Sequence, residues 1–248
     1  MSESTPPAVA VFRPDDERID DAVAVLSDLG ADPVPDPMLA VEPTGASPRT
    51  DADYVVLTSK TGAELVSAAD WRPGEATVCA IGPATADALR AEGYPVDVVP
   101  EEYTSSGLVE RLESDVDGAR IEVARSDHGS DVLLEGFEAA GAYVHETVLY
   151  RLVRPEVSGD SAERAAAGDL DAVCFTSSLT VDHFLEAAAD RGVREESLDG
   201  LSDAVVGVIG EPTRETAAEH GIEADVVPEE ATFDALATAV LDQVDGRS

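Results

Sequence analysis

The stretch ATVCAIGPATADALRAEGYPVDVVPEEYTSSGLVERL, residues 76–112, occurs a second time as AVVGVIGEPTRETAAEHGIEADVVPEEATFDALATAV, residues 204–240. Two further segments recur in the same order, 9–43 as 121–155 and 51–66 as 169–184. Ordered self-similarity of this kind indicates a tandem duplication rather than chance. A chain of 248 residues is long enough for two compact domains.

Each copy alternates short apolar runs with helical patterns. Ala8–Phe12, Tyr54–Leu57 and Val173–Phe175 are continuous apolar runs, typical of strands buried on both faces of a parallel sheet. The helix predicted after the first run ends at Gly30, and its apolar side chains share one face: Ile19, Val23, Leu26 and Leu29. Strands are also expected within the repeated VDVV and ADVV stretches. Alternation of strand and helix predicts doubly wound parallel sheets of flavodoxin type.

The charge balance is extreme, with 52 acidic residues against 16 basic ones and a formal net charge of −36. The acids are dispersed among periodic apolar positions, which argues against a disordered tail. Lys60 is the only lysine. Self-repulsion at this charge is screened at molar salt, so we expect a protein from a salt-loaded, haloarchaeal cytoplasm. The same charge excludes duplex nucleic acid as a partner.

Several classes of site are missing from the sequence. Cys79 and Cys174 lie in apolar runs and are expected to be buried free thiols, without a disulfide or metal site. No apolar run is long enough for a membrane helix, and no phosphate loop, HExxH or GxSxG motif occurs. Histidines are scattered, and no cofactor is indicated. We therefore expect a cytoplasmic protein whose chemistry needs few side chains.

Hydroxyl residues follow the predicted strands in both copies, at Thr58–Lys60, Thr85, Thr104–Ser106, Thr176–Ser178 and Thr213. In open parallel sheets ligands bind outside the strand carboxyl ends, where helix N-termini offer N–H groups to anions. Any one of these residues is equally explained as a helix N-cap. Their recurrence in both copies predicts one joint ligand-binding cleft.

Arg13 and Arg125 end the first predicted strand of each copy, close to that crevice. Ion pairing with the abundant carboxylates is the alternative explanation for both arginines.

The sequence resembles the uroporphyrinogen-III synthase family. The resemblance rests on an ordered set of stretches that spans nearly the whole chain: FRP (12–14), LTSKTGAE (57–64), AIGPATADAL (80–89), VVPEEYTSSGL (98–108), ETVLYRLV (146–153), FTSS (175–178) and VIGEPTRETA (208–217). It implies two flavodoxin-like doubly wound parallel-sheet domains joined by a two-stranded connector. One domain would comprise residues 1–40 and 155–248, the other 41–154, with the active site in the cleft between them.

The implied reaction cyclises linear hydroxymethylbilane to the type III macrocycle, with loss of water and inversion of the last pyrrole ring, D. Without enzyme the substrate closes to the uninverted type I isomer, so positioning should carry most of the effect. Tyr150 corresponds to the family's tyrosine proposed to assist departure of the hydroxyl. The resemblance implies substrate contacts at Ser59, Thr85, Ser178 and Thr213, with Arg13 or Lys60 adding charge. Ser105 and Arg125 are further expected contacts, because they follow or end predicted strands at the same crevice. Glu211 departs from the pattern, since it adds negative charge beside an expected carboxylate site.

Two other functions fit parts of the pattern. A cytoplasmic two-domain small-molecule sensor without catalysis would normally carry a DNA-binding or signalling segment, and none is visible. A sugar-nucleotide transferase would need a nucleotide-phosphate loop. The expected partner is the small-molecule substrate alone, bound by a monomer that needs no cofactor, with possible transient hand-over from hydroxymethylbilane synthase.

Overall fold

The computed structural model describes residues 5–247, which form two compact α/β units. The first unit contains the described residues up to Ala40 and those from Val153 onward. The second unit is Val41–Leu152.

The first unit has a four-stranded parallel sheet in the order β2-β1-β8-β9. Its strands are β1 (Ala8–Phe12), β2 (Asp32–Pro35), β8 (Ala172–Phe175) and β9 (Val205–Val208). Its helices are α1 (Glu17–Asp28), α6 (Asp160–Ala167), α7 (Ser178–Asp190), α8 (Arg194–Asp203), α9 (Glu211–Glu219) and α10 (Phe233–Arg247). Alternate residues of β1 enter two separate core clusters, Val9 and Val11 in one and Ala10 and Phe12 in the other. Both faces of this sheet are therefore buried.

The second unit has a five-stranded sheet in the order β3-β7-β6-β4-β5. Its strands are β3 (Ala40–Pro43), β4 (Tyr54–Leu57), β5 (Thr77–Ala80), β6 (Arg120–Ser126) and β7 (Tyr143–Val153). Its helices are α2 (Lys60–Ala68), α3 (Pro83–Ala91), α4 (Ser105–Leu112) and α5 (Val132–Ala139). The pairs β4–β5, β4–β6 and β6–β7 are parallel. Consequently β4, β5 and β6 end at the same edge of the sheet.

The predicted α/β class with parallel sheets is confirmed. The apolar runs at Ala8–Phe12 and Tyr54–Leu57 form strands with those bounds. Gly30 has a φ of 88°, as expected of a residue that follows a helix in the left-handed conformation. Pro83 occupies the first turn of α3, where no N–H is needed.

Two details of the sequence prediction were wrong. Leu29 does not belong to the buried face of α1, because it is the C-cap and its side chain is 45% exposed. The strands expected in VDVV and ADVV are reduced to isolated bridges, Cys79 with Val98 and Gly207 with Val226. Pro100 and Pro228 follow closely, and proline donates no hydrogen bond with which to extend a strand.

Cys79 and Cys174 are both buried and free, as predicted. Burial raises the pKa of each thiol to about 12, so neither is a thiolate at neutral pH. No helix among residues 5–247 is long and apolar enough to cross a membrane.

Asp36 anchors the start of α6 within the first unit. Its carboxylate is 4% exposed and accepts hydrogen bonds from the Gly159 amide at 2.8 Å, the Ser161 amide at 2.9 Å and the Ser161 hydroxyl. The side chain thus satisfies backbone donors that a helix leaves unpaired in its first turn. Gly159 has a φ of 107°, which brings the chain into α6 in a conformation that favours glycine.

Replacing Asp36 with alanine is expected to destabilise the protein by about 3 kcal/mol, because three buried donors lose their acceptor. For a chain of this length that corresponds to a fall in Tm of roughly 6–12 °C, measurable by circular dichroism at constant KCl. Asp169→Ala is the control, since it removes an exposed aspartate from the same unit and reports the effect of the lost charge alone. Equal Tm values for the two variants would contradict the anchoring role of Asp36.

Candidate active site

Helices α2 and α4 each begin with a hydroxyl N-cap near the strand carboxyl ends of the second unit. Ser59 follows β4 and its Oγ accepts the Gly62 amide at 2.9 Å. Thr104 precedes α4, and its Oγ1 accepts the Gly107 amide at 3.0 Å. Serine and threonine are favoured at this position because their oxygen pairs a first-turn N–H. The N-cap explanation left open by the sequence therefore applies to both residues.

Ser59 has a second partner, the phenol of Tyr150. Tyr150 lies in β7 with its side chain in the core that includes Leu57 and Leu149, and it is 6% exposed. Its Oη donates a hydrogen bond to Ser59 Oγ at 3.0 Å. The buried ring and this bond together fix the position of the phenol hydroxyl at the edge of the sheet where β4 ends.

Thr85 and Thr213 occupy equivalent positions, the third residues of α3 and α9. Their N-caps, Gly82 and Gly210, offer no side chain to the first-turn amides. Thr85 is 4% exposed and Thr213 3% exposed, yet within residues 5–247 neither hydroxyl has a hydrogen-bond partner. Each helix start therefore combines unpaired N–H groups and one hydroxyl, which is a favourable environment for a carboxylate.

Arg13 follows β1 in the first unit and is half-buried. Its guanidinium stands over the Phe233 ring at 5.3 Å from the centroid and forms no ion pair among residues 5–247. Its Nε is buried and has no hydrogen-bond partner in the described part of the chain. Burial, with a contribution from Arg18, lowers the pKa of this guanidinium, and nearby carboxylates act in the opposite direction. An arginine that forms no ion pair with any described residue of so acidic a chain is a candidate for binding an anionic ligand.

Arg125 differs from Arg13 although the sequence places the two equivalently. It is 4% exposed, and its Nε lies 2.5 Å from a carboxylate oxygen of Glu146. Its other nitrogens donate to the Ser130 carbonyl and to Asp131. The structure thus places Arg125 in the ion pairing that the sequence left open as the alternative. Its guanidinium holds the loop that follows β6.

Lys60 and Ser105 lie in the first positions of α2 and α4. The Lys60 side chain is 64% exposed, and its Nζ is 3.6 Å from Glu64 one helical turn on. An exposed pair of this kind contributes little energy and leaves the ammonium free to change partner. Ser105 is partly exposed beside the Thr104 cap.

Ser178 and Glu211 lie near the start of α9 in the first unit. Ser178 Oγ donates to the Pro212 carbonyl at 3.1 Å and accepts from Thr216 at 2.9 Å. Glu211 accepts from Arg214 Nε at 2.9 Å, and this hydrogen bond lowers the pKa of the Glu211 carboxyl. Arg214 therefore offsets the negative charge by which Glu211 departs from the family pattern.

A family model described as uroporphyrinogen-III synthase HemD matches residues 20–238. The chain belongs to the uroporphyrinogen-III synthase family. Among curated proteins it is 33% identical to a putative uroporphyrinogen-III synthase of Methanothermobacter thermautotrophicus, over 96% of this chain and 100% of that protein. It is 27% identical to the uroporphyrinogen-III synthase of Synechococcus elongatus, over 77% of this chain and 75% of that one.

Solved structures of uroporphyrinogen III synthases share the fold. A mutant of the Thermus thermophilus protein matches with a TM-score of 0.66 and 18% identity, over 98% of this chain and 100% of that chain. The Helicobacter pylori protein matches with a TM-score of 0.63 and 14% identity, over 96% of this chain and 100% of that chain. At such identities the likeness concerns the fold alone.

Ser177 was among the strand-end hydroxyls of the sequence, but Ser178 was the one expected to contact substrate. The structure shows that Ser177, not Ser178, is the N-cap of α7 and accepts the Thr180 amide. Aligning 51–66 with 169–184 places Ser177 opposite Ser59 and Ser178 opposite Lys60. The repeat itself therefore contained the signal that identifies Ser177 as the counterpart of Ser59.

Proposed function

We propose that this protein is a uroporphyrinogen-III synthase, which cyclises hydroxymethylbilane with loss of water and inversion of ring D. The observation that carries the proposal is the family match over residues 20–238. The relative from Methanothermobacter, similar over its full length, supports it further.

In the proposed reaction, the phenol of Tyr150 donates its proton to the departing hydroxyl. The carbon–oxygen bond breaks with both electrons on oxygen, and water and an azafulvene cation result. Attack by the substituted carbon of ring D gives a spiro intermediate, which reopens and closes in the inverted sense. The proton lost from the substrate at ring closure restores the phenol, so the balance is loss of one water. For this transfer the phenol hydrogen turns from Ser59 Oγ to the substrate, and the Ser59 hydroxyl donates to Tyr150 Oη in its place, so the phenol oxygen keeps its position, as general acid catalysis requires.

The substrate carries acetate and propionate carboxylates, and we propose that the first turns of α3 and α9 bind some of them. Within residues 5–247 the hydroxyls of Thr85 and Thr213, beside the first-turn amides, have no hydrogen-bond partner and Arg13 has no ion-pair partner, so each is available to a carboxylate. Lys60, Ser105 and Ser178 are proposed as more exposed contacts. Binding of one substrate by both units in a shared cleft stays a prediction, as does the division at residues 40/41 and 154/155.

The test is a coupled assay in molar KCl that supplies hydroxymethylbilane and separates the type III from the type I product. The proposal predicts type III product in proportion to the protein added. Type I product alone, at any protein concentration, would contradict it. A protein that binds the bilane and yields only type I would instead fit the sensor, the alternative without catalysis.

We further propose that the protein acts as a monomer in a salt-rich cytoplasm and receives its substrate by transient transfer from hydroxymethylbilane synthase. The charge of −36 supports the proposal of a salt-rich setting, because screening at high ionic strength weakens the mutual repulsion of the acids. Light scattering after size exclusion in molar KCl tests the oligomeric state against the monomer mass of 25.8 kDa.

A further inference from the structure

Tyr103 is an exposed aromatic side chain beside the start of α3. It is 62% exposed, whereas Trp71, Tyr94 and Tyr150 of the same unit are nearly buried. Within the described part of the chain its hydroxyl forms no hydrogen bond. The fold therefore gains little from this ring, which leaves its face available to a ligand.

Cβ and Cγ of Tyr103 pack directly against Gly82, the N-cap of α3. A Cβ built on Gly82 would lie 3.2 Å from Tyr103 Cβ and 3.5 Å from Cγ. Gly82 has a φ of −168°, an extended conformation that any residue adopts. A side chain at Gly82 would therefore press on Tyr103, although the backbone itself would not be strained.

The second copy forms the same turn without an aromatic ring. Gly210 is the N-cap of α9 with a φ of −179°, and a Cβ on it would meet only Pro212 Cδ, at 4.0 Å. Aligning the repeats places Ala231 opposite Tyr103. Since the turn and the helix form equally well without the ring, Tyr103 is not needed to build them.

Tyr103 also lies close to groups suited to a carboxylate. It packs against the N-cap of α3, whose third residue is Thr85, and it directly precedes Thr104, the N-cap of α4. The Thr85 hydroxyl has no hydrogen-bond partner among the described residues. An aromatic face beside carboxylate donors matches the chemistry of a pyrrole ring that carries a carboxylate side chain. Offset or edge-to-face packing of two aromatic rings adds to the apolar area that they bury.

We propose that Tyr103 is a substrate-positioning residue whose ring packs on one pyrrole ring of the bilane, the carboxylate of that pyrrole being held at the start of α3. The inference rests on the proposed function and adds to it an asymmetry between the two copies. The first copy recognises a pyrrole together with its carboxylate, whereas the equivalent site in the second copy offers no aromatic face.

The first experiment compares Tyr103→Ala, Tyr103→Phe and the unaltered chain in the type III assay. Loss of the ring is expected to raise KM on the order of 10-fold, with kcat changed much less and Tm unchanged. Phenylalanine keeps the ring and should keep the KM. Tyr143→Ala is the matched control, because Tyr143 is 72% exposed at the start of β7, the opposite end of the strands from the proposed site.

The second experiment uses the two equivalent glycines. Gly82→Ala places a methyl 3.2 Å from Tyr103 Cβ, so the Tyr103 side chain must shift by a few tenths of an ångström and KM should rise. In a Tyr103→Gly background neither the Cβ nor the ring is present, so the same methyl should have little effect. Gly210→Ala adds a methyl at the equivalent place and measures what the methyl alone does to a carboxylate contact. The inference requires Gly82→Ala to raise KM more than Gly210→Ala does.

Two results would overturn the inference while the proposed function stands: a KM for Tyr103→Ala within about twofold of the unaltered enzyme, or a Tyr103→Phe variant as impaired as the alanine variant. An unaltered chain that forms no type III product would overturn the proposed function, and the inference with it. The two failures are therefore distinguished by the activity of the unaltered chain.

Discussion

Tyr150→Phe is expected to lower kcat for type III formation by about 100-fold, the lower end of what a positioned general acid contributes. The phenyl ring still fills its place in the core, so KM should change little. What is lost is the proton that the phenol donates to the departing hydroxyl, together with the hydrogen bond to Ser59. Steady-state kinetics in molar KCl, with type III and type I products separated, measures the effect.

Tyr94→Phe is the matched control for this variant. Tyr94 is also buried in the same core, and its hydroxyl donates to the Trp71 carbonyl at 2.8 Å, away from Ser59. Its loss is expected to lower the free energy of unfolding by about 1 kcal/mol and leave kcat unchanged. Equal kcat values for the two variants would remove Tyr150 from the mechanism.

A substrate with a better leaving group separates proton donation from mere packing. A bilane whose terminal hydroxyl is acetylated needs less help from an acid, so the loss of kcat in Tyr150→Phe should be smaller with this substrate.

Ser59→Ala should also reduce kcat. The double variant should have a kcat no lower than that of Tyr150→Phe, since both residues act through one hydrogen bond. Additive losses would show that Ser59 acts independently.

The local patterns of the sequence were sufficient to predict the strands that matter for the site. Apolar runs such as Tyr54–Leu57 can only be buried on both faces, and a parallel sheet provides that environment. Helix α8 (Arg194–Asp203) was not predicted, because its sequence is dominated by charged residues. It packs on α6 through Gly200, where a Cβ would lie 1.8 Å from the Ala165 carbonyl oxygen, and this tertiary contact has no local signal.

The candidate site was predictable only in part. Hydroxyl residues after strands are visible in sequence, because N-caps and anion sites favour the same residue types. The bond between Tyr150 and Ser59 joins residues 91 positions apart, so it depends on strand order rather than on spacing. Arg13 and Arg125 occupy equivalent positions in the two copies, yet within residues 5–247 only Arg125 of the two forms ion pairs, with Glu146 of β7 and Asp131 of the loop after β6. Such partners are set by the tertiary structure.

Lowering KCl from about 2 M to 0.1 M is expected to destabilise the protein by about 5 kcal/mol, comparable with the whole stability of many domains. The Debye length grows from about 3 Å at 1 M to about 10 Å at 0.1 M, so acids on neighbouring turns begin to repel one another. For this length of chain the loss corresponds to a fall in Tm of roughly 10–20 °C. Thermal unfolding followed by circular dichroism across a KCl series measures it.

Two comparisons identify charge screening as the cause. Sucrose at matched osmolality strengthens burial without ions and should not replace KCl. Asp242 and Asp245 are exposed acids three residues apart on α10, where like charges repel. Replacing both with asparagine removes this repulsion. The variant should therefore need less KCl to reach half of the total rise in Tm. A Tm that does not depend on KCl, or that sucrose restores fully, would contradict screening. In either case repulsion between the dispersed charges would not be what lowers the stability at low salt.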